Sequence, residues 1–195
     1  FMPREYTEIR FHGRGGQGVV TAAQILAVAA FNEGRYAQSF PLFGGERRGA
    51  PVAAFTRISD EAIEIRSQIY YPDCVVVLDA SLLKFGNPFL GLQTDGLAIL
   101  NSRKTPDEIR KKLPIEGEIC CVDANTISME IYGHTAIPIT NICILGALCS
   151  SNSIVQLKSV ISVLKEFFPA ARIEENARAA RLAFERAVMG SGLHI

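Results

Sequence analysis

The chain has 195 residues, 48% of them hydrophobic and 21% charged, and its 20 Lys+Arg balance 20 Asp+Glu. A composition this apolar excludes a mainly disordered chain. The lack of any basic excess argues against a general nucleic-acid binder, which must neutralise phosphates.

A chain of this length can bury roughly 70% of its unfolded surface in one core, so residues 1–195 are read as a single domain. Phe1 ahead of Met2 is read as a tag remnant. No apolar run approaches the ~20 residues of a membrane helix. Residues 1–10 carry Arg4, Glu5, Glu8 and Arg10 instead of an apolar segment behind a basic start, so no signal peptide is expected. The expected location is the cytoplasm. The cysteines are Cys74, Cys120, Cys121, Cys143 and Cys149, without any CxxC, so no iron–sulfur or zinc site is expected in this chain. They are read as free buried thiols.

Glu8 to Gly13 alternates Ile9 and Phe11 with polar neighbours, which is a strand pattern. Val19 to Glu33 is apolar on nearly every side and alanine-rich, which suits a helix packed closely on a sheet, with Gly34 as its stop. Tyr36 to Phe40 reads as a short strand, and Leu42 to Pro51 as a glycine-rich charged loop. Val52 to Ile58 and Ile63 to Arg66 read as two strands around Ser59-Asp60, an antiparallel hairpin because the connection is too short for a parallel crossover.

Cys74 to Asp79, Leu97 to Leu100 and Ile119 to Val122 are continuous apolar runs, as in central strands of a parallel sheet. Thr105-Pro-Asp-Glu108 opens a short helix, with Thr105 as N-cap and acids in the first turn. Asp123 to Tyr132 and Thr140 to Cys149 read as helices. A helix from Ser153 places Leu157, Val160, Ile161, Leu164 and Phe168 on one stripe, and a last one does so with Ile173, Ala177, Ala180, Phe184 and Val188. The expected fold class is α/β: a three-layer αβα arrangement with a Rossmann-like start, a mostly parallel sheet, and an antiparallel hairpin insertion near 52–66.

Gly13-Arg14-Gly15-Gly16-Gln17-Gly18 is a GxGxxG between a strand and a helix. Such glycines allow a tight turn, and the helix start offers unpaired N–H groups to an anion. A dinucleotide site also wants an acid about 20 residues on, to hold the ribose. Tyr36-Ala-Gln-Ser-Phe40 has none, although Arg35 could face a 2′-phosphate. A tight turn without any dinucleotide is the simpler reading.

The words GRGGQG, FPLFGGERRGAPVAAFTRI and RSQIYYPDCVVVLD occur in that order, followed more loosely by Cys120-Cys-Val-Asp-Ala124 and Asn141-Ile-Cys-Ile-Leu-Gly146. This resembles the gamma subunit of 2-oxoacid:ferredoxin oxidoreductases. The wording Phe40-Pro-Leu-Phe-Gly44 and Glu46-Arg-Arg-Gly-Ala-Pro51 is closer to the pyruvate/2-oxoisovalerate branch than to the 2-oxoglutarate branch. The resemblance implies a heteromeric enzyme that decarboxylates a 2-oxoacid, passes electrons to ferredoxin and forms acyl-CoA. It implies thiamine diphosphate, Mg and [4Fe–4S] clusters on partner subunits of the alpha, beta and delta type, with coenzyme A as substrate. No catalytic residue, metal ligand or tightly bound cofactor is expected on this chain, and neither nucleic acid nor membrane is an expected partner.

The candidate contacts to coenzyme A phosphates, or to a neighbouring subunit, are Gly13, Arg14, Gly15, Gly16, Gln17, Gly18, Arg47 and Arg48. The alternative assignments are a stand-alone nucleotide-binding protein or dehydrogenase, and a scaffold that only docks partners. His12, His134 and His194 are scattered and suggest no hydrolase triad. Asp79 ends an apolar run, where it suits a helix N-cap before Ala80.

Overall fold

The computed structural model describes residues 6–42, 49–151 and 154–192. Arg47, Arg48, Ser153 and His194, each of which figures in the sequence reading, lie outside the described residues.

The strands are β1 (Thr7–Arg14), β2 (Tyr36–Pro41), β3 (Pro51–Ser59), β4 (Cys74–Val77), β5 (Leu97–Asn101), β6 (Glu118–Val122) and β7 (Val188–Gly190). They form one sheet in the order β2-β3-β1-β4-β5-β6-β7. β1, β4, β5 and β6 pair in parallel. β3 runs antiparallel to β1 and β2, and β7 runs antiparallel to β6, so only β3 and β7 point the other way.

The continuous apolar runs end up where both faces are covered. Cys74, Val76, Ile99, Cys120 and Val122 face one core, while Val75, Val77, Leu100, Ile119 and Cys121 face a second, smaller one. The adjacent Cys120 and Cys121 therefore point to opposite faces, as strand alternation requires.

The larger core lies under the long helices: α1 (Val19–Asn32), α3 (Ala124–Tyr132), α4 (Asn141–Ser151), α5 (Leu157–Phe167) and α6 (Ala170–Arg186). The other layer is thin. It holds α2 (Pro106–Arg110), a 3-10 turn at Ala80–Lys84 and irregular chain carrying Phe89, Leu92 and Leu113. Helix α2 starts as its sequence demands: the Thr105 hydroxyl accepts the Glu108 N–H at 3.3 Å, and the Glu108 carboxylate accepts the Thr105 N–H at 2.8 Å.

α4 and α6 approach closely at Gly146. A Cβ on Gly146 would run into the carbonyl of Ala180.

Three expectations are corrected. Ile63–Arg66 is not a strand; the antiparallel hairpin is β2–β3, and Ile65 instead gives its carbonyl to the side chains of Gln38 (2.8 Å) and Arg57 (3.4 Å). Phe168 leaves the α5 stripe, because it caps the helix in an extended conformation before Pro169. Val188 leaves the α6 stripe, because the helix ends at Arg186 and Val188 pairs with Cys121 across β6–β7.

Candidate functional site at the start of α1

The GxGxxG segment forms the turn from β1 into α1, and each glycine has its own reason. A Cβ on Gly13 would stand 2.5 Å from Val19 Cγ2, so the helix start could not close on the strand. Gly16 and Gly18 have φ of +95° and +74°, which disfavour any side chain. At Gly18 a Cβ would also strike the Asn141 amide. The Gly15 N–H donates to Ala50 O (2.8 Å) and the Gly49 N–H to Gly15 O (3.0 Å), which stitches the turn to the chain entering β3.

Gln17 is buried and used internally. Its Oε1 accepts the Arg14 N–H (2.8 Å) and its Nε2 donates to Asp79 Oδ2 (3.1 Å). The Arg14 guanidinium also turns inward. It donates to the Ser81 hydroxyl (2.9 Å) and the Gly49 carbonyl (3.0 Å), pairs with Asp79 (3.3 Å) and lies over the Phe85 ring. Asp79 caps the 3-10 turn by accepting the Ser81 N–H at 2.9 Å, which is the N-cap role expected for it. Burial pushes the Asp79 carboxyl up, but the hydrogen bonds from Ser81 and Gln17 and the charge of Arg14 hold it below its ordinary range.

What remains open is backbone. Helix α1 has no side-chain cap at Gly18 and no acid in its first turn. The first N–H that the helix satisfies is that of Ala22, bonded to Gly18 O at 2.9 Å. The N–H groups of Val19, Val20 and Thr21 have no backbone partner among the described residues. Val19, Val20 and Thr21 line a cleft of about 770 Å³ together with Arg14, Gly15, Gly16, Val52 and the segment 135–139. Neither Asn141, which fixes Gly18, nor the wall 135–139 was among the sequence candidates. The signal for Asn141 was the word Asn141-Ile-Cys-Ile-Leu-Gly146, whose two ends prove to be the contacts with Gly18 and α6; the wall 135–139 had none.

The dinucleotide geometry is not reproduced beyond the turn. β2, which follows α1, lies at the sheet edge with β3 between it and β1. Arg35 is held by Glu33 (2.6 Å) and by the Ile154 carbonyl, so it faces no 2′-phosphate position.

The thiols sit in apolar surroundings. Burial pushes Cys120 up to about 11 and Cys121, Cys143 and Cys149 up to about 12, and raises Cys74 as well. Among the described residues no three His, Cys, Asp or Glu side chains gather into a metal-sized cluster. No helix among them is long and apolar enough to cross a membrane.

The turn, the uncapped helix start and the cleft lie together at one end of the sheet of an α/β chain. The family described as pyruvate ferredoxin/flavodoxin oxidoreductase matches residues 8–186. The chain is 54% identical over 183 residues to the pyruvate/ketoisovalerate oxidoreductases common subunit gamma of Thermococcus kodakarensis, covering 93% of this chain and 97% of that one. It is 50% identical over 179 residues to the pyruvate synthase subunit PorC of Methanothermobacter marburgensis, covering 92% and 96%. The crystal structure of pyruvate oxidoreductase subunit PORC from Thermotoga maritima superposes with a TM-score of 0.83 at 40% identity, over 96% of this chain and all of that one. The chain belongs to the pyruvate ferredoxin/flavodoxin oxidoreductase family, as a gamma-type subunit.

Proposed function

We propose that this chain serves as the gamma subunit of a heteromeric 2-oxoacid:ferredoxin oxidoreductase of the pyruvate or 2-oxoisovalerate type, and that the cleft at the start of α1 receives phosphate of coenzyme A. The enzyme couples oxidative decarboxylation of the 2-oxoacid to acyl-CoA formation. In this reading the thiamine diphosphate, Mg and [4Fe–4S] clusters sit on partner subunits of the alpha, beta and delta type, ferredoxin takes the electrons, and the complex works in the cytoplasm. The gamma chain is one domain, without a complete active site of its own.

The observation that carries the coenzyme A reading is the uncapped first turn of α1, whose residues Val19, Val20 and Thr21 line the cleft. Backbone N–H groups and the positive end of the helix dipole favour a phosphate there. The positive φ of Gly16 and Gly18 keeps side chains out of the approach. Arg14 contributes by holding the turn.

Calorimetric titration of the heteromeric enzyme with coenzyme A tests this. Thr21→Glu places a carboxylate in the first turn, which favours the helix itself and repels a phosphate. The expected result is binding weakened about tenfold or more with an unchanged or higher melting temperature. Unchanged coenzyme A binding in Thr21→Glu would remove the site. Heat with NAD(H) and none with coenzyme A would favour the dinucleotide alternative.

A further inference from the structure

On the sheet's far face a groove opens beside β1 at Arg10 and His12, while Phe55 and Arg57 of β3 are buried. There, β1 presents Arg10, His12 and Arg14 and β3 presents Ala53, Phe55 and Arg57, while Ile9, Phe11 and Ile58 turn into the helix-covered core. Two adjoining hollows of about 560 and 310 Å³ share His12, Leu42, Ala53, Asn87 and Pro88. Large apolar side chains stand exposed around them: Tyr70 at 65%, Tyr71 at 70%, Phe85 at 76% and Leu90 at 74%. Scattered exposed apolar residues are ordinary, but a rim of them around one groove marks a contact surface.

The rim is a built feature. Gly91 has φ of +81°, and a Cβ there would strike the Tyr70 carbonyl, so the two loops press backbone to backbone. Gln93 fastens them further, its N–H donating to Pro72 O (3.1 Å) and its Nε2 to Tyr71 O (3.2 Å). The backbone that carries Tyr70 and Tyr71 is thereby fixed, which lowers the ordering cost to a partner.

The groove is charged at one place. Arg10 donates to the carbonyls of Pro88 (2.9 Å), Leu90 (2.5 Å) and Tyr70 (3.5 Å) and to His12 Nε2 (3.0 Å). Among the described residues it has no carboxylate partner, and one Nη1 N–H is left over. His12, accepting from Arg10, is neutral, because burial and the Arg10 charge push it down to about 4. Among the described residues the groove is therefore largely apolar, with the Arg10 guanidinium facing no carboxylate.

We propose that another subunit of the oxidoreductase seats a short segment in this groove, with apolar side chains between Tyr71 and Leu90 and a carboxylate facing Arg10. The inference rests on the subunit reading above. An apolar segment covers the exposed rings, and its carboxylate neutralises a half-buried guanidinium that is otherwise desolvated without an anion.

The test places the tagged chain in its native host and isolates the oxidoreductase by the tag. The wild type should bring its thiamine- and cluster-bearing subunits, identified by mass spectrometry, at fixed stoichiometry. Hydroxyl-radical oxidation of Tyr70, Tyr71, Phe85 and Leu90 should be lower in that complex than in the isolated chain. Tyr71→Glu with Leu90→Glu should cut recovery of those subunits about tenfold or more. Tyr71→Lys with Leu90→Lys should cut it less, because lysines do not repel a carboxylate. Both pairs sit at exposed positions, so melting temperatures of the isolated variants should match wild type. Normal assembly of the glutamate pair, or lysines as harmful as glutamates, overturns the proposal while the subunit reading stands. So does an isolated chain whose dimer these variants dissolve, since a second copy would then cover the groove. A wild-type chain recovered without those subunits sinks the subunit reading and this one together.

Discussion

Arg14 and Asp79 meet at 3.3 Å between the end of β1 and the 3-10 turn after β4, and through Gln17 the same carboxylate also holds the glycine turn. With Arg14 also donating to the Gly49 carbonyl, the network ties three segments that are far apart in the chain. Both side chains are about a quarter exposed, so water screens the attraction. We expect a double-mutant cycle on Arg14→Ala and Asp79→Ala to give a coupling of about 1 kcal/mol. Each single change should lower the melting temperature by several degrees. A coupling near zero in thermal or urea melts would show that the network does not act as a unit.

Much of the fold could be read from residues. Cys74–Val77, Leu97–Asn101 and Glu118–Val122 carry continuous apolar runs, and buried parallel strands have few other compositions. The cap at Thr105 was equally legible, because it is set by neighbours in sequence. β7 was not: three residues after a long helix carry no period, and only the edge of β6 makes them a strand. Ile63 and Ile65 alternate like a strand, but their backbone finds no ladder and serves Gln38 and Arg57 instead. At the site, the glycines announced the turn. The cleft wall at 135–139 comes from more than a hundred residues away and leaves no local signature. Arg14, offered by the sequence as a phosphate or subunit contact, lines the cleft, but its partners Asp79, Ser81 and Phe85 come from a distant segment that spacing does not reveal.

The glycines at turns should differ in their tolerance. Gly34 has φ of +87° with open space around it, whereas Gly18 has φ of +74° and meets Asn141. Gly34→Ala should cost about 1 kcal/mol, the left-handed backbone alone. Gly18→Ala should cost several times more, or fail to fold, because Asn141 must move as well. Urea titrations of both variants check the order, and equal losses would show that the Asn141 contact gives way freely.

Arg57 is 1% exposed in its side chain and pairs with Glu8 at 2.7 Å, while its other nitrogens hold the carbonyls of Ile65 and Ser67. Arg57→Ala leaves Glu8 and two carbonyls unmatched, with an expected loss of about 3 kcal/mol. The amides of residues 63–68 should exchange faster by hydrogen–deuterium measurement. Arg57→Met combined with Glu8→Gln should recover part of the stability, because neither charge is then stranded.

His12 gives a pH dependence of known sign. Its folded value of about 4, lowered by burial and then by Arg10, lies below the ordinary 6.5. The unfolded chain therefore takes up the proton first as pH falls. The contribution is fully present above about pH 6.5 and is lost toward pH 4, at up to about 1.4 kcal/mol per pH unit. His12→Gln should show a flatter stability curve than wild type over that window in chemical melts. Parallel curves would mean that His12 is protonated in the folded protein.

Gly146 against Ala180 and Gly18 against Asn141 form two joints at the opposite sides of one helix, α4. Elsewhere in the core a shifted neighbour can be absorbed by a rotamer change. At Gly146 bare backbone bears on the backbone of Ala180, while at Gly18 the neighbour is the Asn141 amide. The seat of α1 is thus set from α6 through α4, with the Asn141 side chain as the adjustable part between them. Drift in the sequence of α6 can alter its surface freely, but any translation of that helix is handed on to the mouth of the cleft.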